Sequence, residues 1–173
     1  MKFTNRKFIW LILILAAFSF SLNAQEKDFD DSVLSEKGKW AYQTLLKVDL
    51  FAVGGIGYGG ETSKGEESLN ILLDENEPIS ALKRLLRDAT PEGELYALLG
   101  LRILKCDCFE EEFNTFLAKP EVGERKAWGR SKLAAGKVMR MAGCMGFSEK
   151  RVEAAENIKS GKFDDWIKRR EKD

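Results

Sequence analysis

Apolar and polar positions divide the chain into one short unbroken run and a long stretch of helical periodicity. Residues 8–20 are almost wholly apolar and follow Lys2, Arg6 and Lys7. From Ser32 the pattern becomes amphipathic: Leu34, Ala41, Leu45, Val48 and Ala52 fall three, four or seven positions apart, which lines one helix face. Trp40 and Leu46 widen that stripe, and Gly54-Gly55 predicts its stop. Leu69, Ile71, Leu72 and Leu73 predict a second, short helix. Asn76 with Pro78 opens a third, whose stripe is Ile79, Leu82, Leu85 and Leu86. Thr90-Pro91-Glu92 repeats the start signal for a helix through Leu95, Leu98, Leu99, Ile103 and Leu104. Asp107-Cys108-Phe109-Glu110 reads as a capping box before Phe113, Phe116 and Leu117.

Beyond Lys119-Pro120 the period is lost. Val122 to Arg140 mixes small, basic and apolar residues, and Val138–Cys144 fits a helix end or a strand equally well. Ser148 is expected to cap a helix through Val152, Ala155 and Ile158 that stops at Gly161. Phe163, Trp166 and Ile167 then supply a last helical turn against the core. Helices joined by short polar turns are the mark of stacked helical hairpins, so the expected fold class is all-α. Residues 79–117 resemble a HEAT-type repeat. The Leu-rich first helix ends in Asp88, a Pro-containing turn follows, and Ala97-Leu-Leu-Gly-Leu101 lies in the second helix. The resemblance implies an α-α superhelix-like array and, by analogy, a binding scaffold.

The N-terminal run changes the accounting of length and charge. A basic start, an apolar stretch too short to span a bilayer, and Ala24 before polar Gln25-Glu26-Lys27-Asp28 describe a secretory signal. The expected organisation is therefore residues 1–24 as signal peptide, 25–31 as a disordered leader and 32–173 as a single α-helical domain. If the segment is retained, it becomes an N-terminal membrane anchor instead. The full chain has 173 residues with 28 basic and 28 acidic side chains. Losing Lys2, Arg6 and Lys7 would leave 25 basic against 28 acidic, a slightly acidic exported protein.

Composition removes several chemistries. With no histidine, Ser-His-Asp and Cys-His triads, His-ligated zinc and imidazole acid–base catalysis are all excluded. No nucleophile elbow or Cys-x-x-Cys is present. Neither cofactor nor metal is expected. Export and the near-balanced charge disfavour nucleic acid.

Three features remain as candidates. Gly55, Gly57 and Gly60 form a Gly-x-Gly-x-x-Gly, but the preceding segment reads as helix and Glu61 puts negative charge where a pyrophosphate would sit. The loop is thus structural, or a binding loop in which Tyr58 offers a flat contact and Thr62, Ser63 and Lys64 offer hydrogen bonds. Cys106, Cys108 and Cys144 suggest a disulfide from Cys144 to Cys106 or Cys108. Free buried thiols and redox exchange through Cys106-Asp107-Cys108 are the alternatives, the latter opposed by the Asp107 charge. Arg125, Lys126, Trp128 and Arg130 lie in a basic strip. It suits an anionic glycan, a lipid headgroup or an acidic protein face, or is simply a solvated surface. The resulting expectation is a secreted or periplasmic helical binding module with a protein partner. An envelope enzyme using carboxylate or thiol chemistry is the alternative.

Overall fold

A computed structural model describes residues 29–170. The expected signal segment 1–24, and residues 25–28 of the expected leader, lie outside the described residues. The Phe29 ring packs 5.3 Å from that of Tyr42, and Asp31–Val33 form a 3₁₀ turn capped by Asp30.

The architecture is mixed α/β, which overturns the all-α expectation. In order come α1 (Glu36–Lys47), β1 (Phe51–Ile56), α2 (Lys64–Leu73), α3 (Pro78–Asp88), α4 (Pro91–Ile103) and α5 (Phe109–Ala118). There follow β2 (Arg125–Ala127), β3 (Arg130–Leu133), β4 (Lys137–Gly143), β5 (Met145–Lys150), α6 (Arg151–Lys159) and α7 (Asp164–Arg170). β1, β4 and β5 form one sheet: β1 runs parallel to β4, with Phe51 opposite Arg140, and β4 pairs antiparallel with β5. β2 and β3 make a separate hairpin.

The centre of the molecule is α4. Every residue from Pro91 to Leu101 is buried, and the helix touches α1, α2, α3, α5 and α6 as well as β1 and β4. A helix apolar nearly all round has to be enclosed in this way. Each fully buried Leu along it contributes about 1.5–3 kcal/mol of hydrophobic stabilisation. Gly93 allows the closest approach: a Cβ there would lie 2.1 Å from the Leu45 carbonyl oxygen of α1. Thr90 caps α4 by accepting from the Gly93 N–H at 3.2 Å, and its hydroxyl donates to the Val48 carbonyl. The Thr90-Pro91 start signal therefore also fixes α4 to the end of α1.

The strands escaped the periodicity for identifiable reasons. Ala52 continues the α1 spacing, yet α1 ends at Lys47 and Phe51-Ala52-Val53 turn into β1, with Gly54 and Gly55 inside the strand at φ +89° and +86°. Short apolar runs do not distinguish helix from strand. In β4 the buried run Val138-Met139-Arg140 contains an arginine, which masks its apolar character. The Arg140 guanidinium pairs with Glu149 through Nη1 at 2.9 Å and lies over the rings of Phe51, Phe147 and Phe163, 5.2–5.7 Å away, while its buried Nε has no hydrogen-bond partner. Ser148, expected as a helix cap, lies in β5 opposite Met139, and α6 begins three residues later. At α5 the expected capping box is not formed, because Cys108 is the N-cap and makes no side-chain cap bond.

Among the described residues no helix is long and apolar enough to cross a membrane.

Candidate functional site

An open cleft of about 710 Å³ lies between α1, the start of α2 and the β2–β3 turn. α1 supplies one wall. Trp40, Thr44 and Lys47 follow each other at spacings of four and three, so they share a face, and the Thr44 hydroxyl donates to the Trp40 carbonyl at 2.9 Å. Leu50 and Ile56 form the floor, and Thr62, Ser63, Lys64 and Gly65 form the second wall. Trp128, in the turn between β2 and β3, closes the third side. Both indoles are about half exposed, Trp40 at 47% and Trp128 at 41%. The exposed surface of the cleft is mostly apolar, while the charges around it are balanced: Lys47 and Lys64 against Asp49 and Glu61.

Buried polar ties hold these walls in place. The fully buried Tyr96 hydroxyl donates to the Ala52 carbonyl and accepts from the Ala52 N–H, both at 2.8 Å. It also lies 3.1 Å from the Ser63 hydroxyl. Burial pushes its pKa up to about 12, against the lowering effect of the Ser63 and Ala52 hydrogen bonds. Glu66, one turn into α2, accepts from the Gly54 N–H at 3.0 Å and from the Trp166 indole N–H at 2.6 Å. Glu92, at the start of α4 and fully buried, receives Arg125 Nη2 on both oxygens at 2.6 and 2.7 Å and the Met139 N–H at 2.8 Å. That cluster fastens the β2–β3 hairpin, and with it Trp128, to the central helix. Trp128 in turn lies over Gly146 of β5, where a Cβ would come 2.8 Å from its ring.

The residues expected to form a binding loop separate in space. Thr62 and Lys64 are exposed and line the cleft. Ser63 also lines it but is buried. Its hydroxyl donates to the Ala52 carbonyl at 2.7 Å and accepts from the Glu66 N–H at 3.0 Å, so it caps α2 and is not a free ligand contact. Gly55 and Gly60 border a second depression of about 360 Å³ beside Glu66, Trp166 and Arg169. Gly57 and Tyr58 line neither, and Tyr58 is fully exposed at the loop tip. The element before the glycine loop is strand β1, which corrects the expected helix. The loop closes on itself, however, through Ile56 and Glu61, whose backbones exchange two 2.8 Å hydrogen bonds. α2 opens only at Lys64, after the Ser63 cap. The third glycine does not lead into a helix as a pyrophosphate-binding turn requires.

The basic strip is divided as well. Arg125 is committed to Glu92, Lys126 and Arg130 are exposed, and Trp128 belongs to the cleft. Trp40, which its spacing places on the core stripe of α1, is half exposed and lines the cleft. The misleading signal was its helical spacing; the useful one was its place one position before buried Ala41 and Tyr42. The other buried acids are also occupied. Glu94 meets Lys119 at 2.7 Å and Arg151 at 3.6 Å, and Glu112 meets Lys83 at 3.3 Å. Burial raises the Glu94 pKa in spite of its two cations. Among the described residues no cluster of three or more His, Cys, Asp or Glu is arranged to hold a metal ion.

The cysteines pair differently from the expectation. Cys106 is bonded to Cys108, and Cys144 is exposed and free in the tight β4–β5 turn. The expected bridge from Cys144 would have closed a loop of more than thirty residues. A bridge across one intervening residue constrains the unfolded chain far less, contributing about 1.5 kcal/mol on the chain-entropy relation against about 4 kcal/mol for the longer loop. The chain matches no protein-family model, and no curated protein or solved structure matches it.

Proposed function

We propose that the protein is a binding module that seats a segment of a partner polypeptide in the cleft between Trp40 and Trp128. The observation that carries this reading is the pair of half-exposed indoles on separate walls of one open, mostly apolar cleft. Tryptophans in such positions supply large contact area at low entropic cost and dominate the energetics of many interfaces. The cleft volume falls in the range of ordinary ligand pockets. Lys47 and Lys64 stand against Asp49 and Glu61, so the rim favours a segment of mixed polarity over a polyanion. The segment that fits places an apolar or aromatic side chain between the indoles and polar groups against Thr62 and Lys64. Export, with cleavage after Ala24, belongs to the same proposal; N-terminal sequencing of the cell-derived protein should begin at Gln25.

Selection of displayed peptides on the full chain tests the reading, with a Trp40→Ala/Trp128→Ala variant as the counter-target. Enriched peptides should shift the tryptophan emission and lose about thirtyfold in affinity on the variant, the equivalent of one 2 kcal/mol hot spot. Circular dichroism verifies that the variant is folded. Peptides that bind both proteins equally would place recognition elsewhere and defeat the proposal.

A further inference from the structure

α4 ends in a Schellman turn that sets the position of two cysteines. The Lys105 N–H donates to the Arg102 carbonyl at 3.0 Å and the Cys106 N–H to the Leu101 carbonyl at 3.1 Å, with Lys105 itself at φ +50°. Cys106 then bonds to Cys108, the N-cap residue of the ten-residue helix α5. This bridge ties together no distant parts of the chain, because the hydrogen bonds of the turn and α5 already fix both cysteines locally. Cys106 lines a separate open depression of about 470 Å³, together with Lys105, Asp107 and Phe109. The Cys108 N–H points at Cys106 Sγ at 3.2 Å. Nothing in the proposed peptide cleft uses any of these groups.

We propose that Cys106–Cys108 is a thiol–disulfide exchange site whose substrate is a pair of reduced cysteines in another polypeptide. A substrate thiolate, having lost its proton to water, attacks Cys106 Sγ from the open depression. The Cys106–Cys108 bond breaks, and its electron pair leaves on Cys108 Sγ, which takes a proton from water. The second substrate thiolate attacks the substrate sulfur of the mixed disulfide and expels Cys106 as thiolate, which is then protonated. The substrate loses two electrons and two protons to form its disulfide, and the protein gains both. The backbone N–H groups at the start of α5 favour the Cys108 thiolate against the opposing charges of Glu110, Glu111 and Glu112 in the same turn, and the N–H of Cys108 favours the Cys106 thiolate. Lys105 and Phe109 offer a cation and a ring to the incoming peptide. Asp107, exposed between the two sulfurs, acts in the opposite direction and holds the rate down. Cys144 plays no part.

The test uses the full chain with Cys144→Ser. The oxidised protein is equilibrated in glutathione buffers of graded ratio, quenched in acid, alkylated and weighed. A single two-electron transition is expected while the far-UV circular dichroism is unchanged. Each protein should also oxidise one equivalent of a reduced Cys-x-x-Cys peptide. Cys108→Ser should hold an activated cysteine peptide as a stable mixed disulfide on Cys106. Asp107→Asn should speed exchange about threefold, a change that a merely structural bridge would not produce. Reduction that occurs only once denaturant unfolds the protein would overturn the proposal. So would two alkylatable thiols that persist in excess oxidised glutathione, or an Asp107→Asn rate equal to that of the parent.

Discussion

Removing the Glu92 carboxylate should cost a large part of the stability of the fold and loosen one wall of the cleft. The side chain is fully buried, and Arg125 opposite it is only 18% exposed, so neither charge can turn to water without the hairpin moving. Glu92→Ala leaves the guanidinium with only a 3.3 Å bond to the Lys137 carbonyl and strips the Met139 N–H of its acceptor. Breaking a buried ion pair from one side costs about 3–5 kcal/mol, so about 4 kcal/mol is expected here. Arg125→Ala should cost about 3 kcal/mol, since the Met139 N–H still meets the carboxylate. In the double variant no unpaired charge remains, and the total should be near 4 kcal/mol, well short of the sum. The coupling is then about 3 kcal/mol. Urea denaturation followed by circular dichroism measures all four corners, and Glu92→Gln, at about 2 kcal/mol, serves if the alanine variant fails to fold. Because the pair fastens the hairpin that carries Trp128, Glu92→Gln should also make native-state tryptophan quenching by acrylamide more efficient. Additivity within 0.5 kcal/mol, with quenching unchanged, would refute the claim that this pair joins the hairpin to the core.

Other expectations follow from single contacts. Tyr96 has its pKa raised to about 12 in the fold, so its contribution is fully present below the ordinary value of 10 and is lost as pH rises from 10 through 12. That window should remove about 2–3 kcal/mol of stability, and Tyr96→Phe should abolish this part of the alkaline slope while costing about 2 kcal/mol at neutral pH; denaturant melts at several pH values measure both. Gly93→Ala should destabilise by about 3 kcal/mol or prevent folding, as its Cβ meets the Leu45 carbonyl and the Ala89 side chain, which expression level and melting temperature will show. Lys105→Gly should raise stability by about 1 kcal/mol, since the position already sits at φ +50°; a fall in the urea midpoint would contradict this.

What the sequence conveyed depended on whether the signal was local. Thr90-Pro91 and the spacing of Leu95, Leu98 and Leu99 give α4 without reference to anything distant, and the structure has it there. Ala41 and Leu45 are likewise buried on α1. The strands failed for the opposite reason. β1 draws its identity from Arg140 and Met141 far along the chain, and β4 hides a buried arginine whose aromatic partners come from β1, β5 and the turn between α6 and α7. The cleft was half legible: Thr62, Lys64 and Trp128 were singled out from two separate motifs, but nothing local shows that they face Trp40. Arg125 looked like available positive charge because Glu92, its partner, lies 33 residues away in sequence, with α5 between them.

The parallel pairing of β1 with β4 also bears on how the molecule comes into being. During synthesis β1 is made early, and its partner strand appears only after the four helices α2–α5 and the β2–β3 hairpin. Until then one side of β1 has its amides and carbonyls uncovered, an edge able to pair with another nascent copy. Early chains should therefore be the vulnerable species: a fragment ending at residue 136 should aggregate in ribosome-release experiments, whereas one that runs through α6 to residue 160 should stay soluble. Completion of the sheet is the step that ends the exposure, and it waits on residues in the last quarter of the polypeptide.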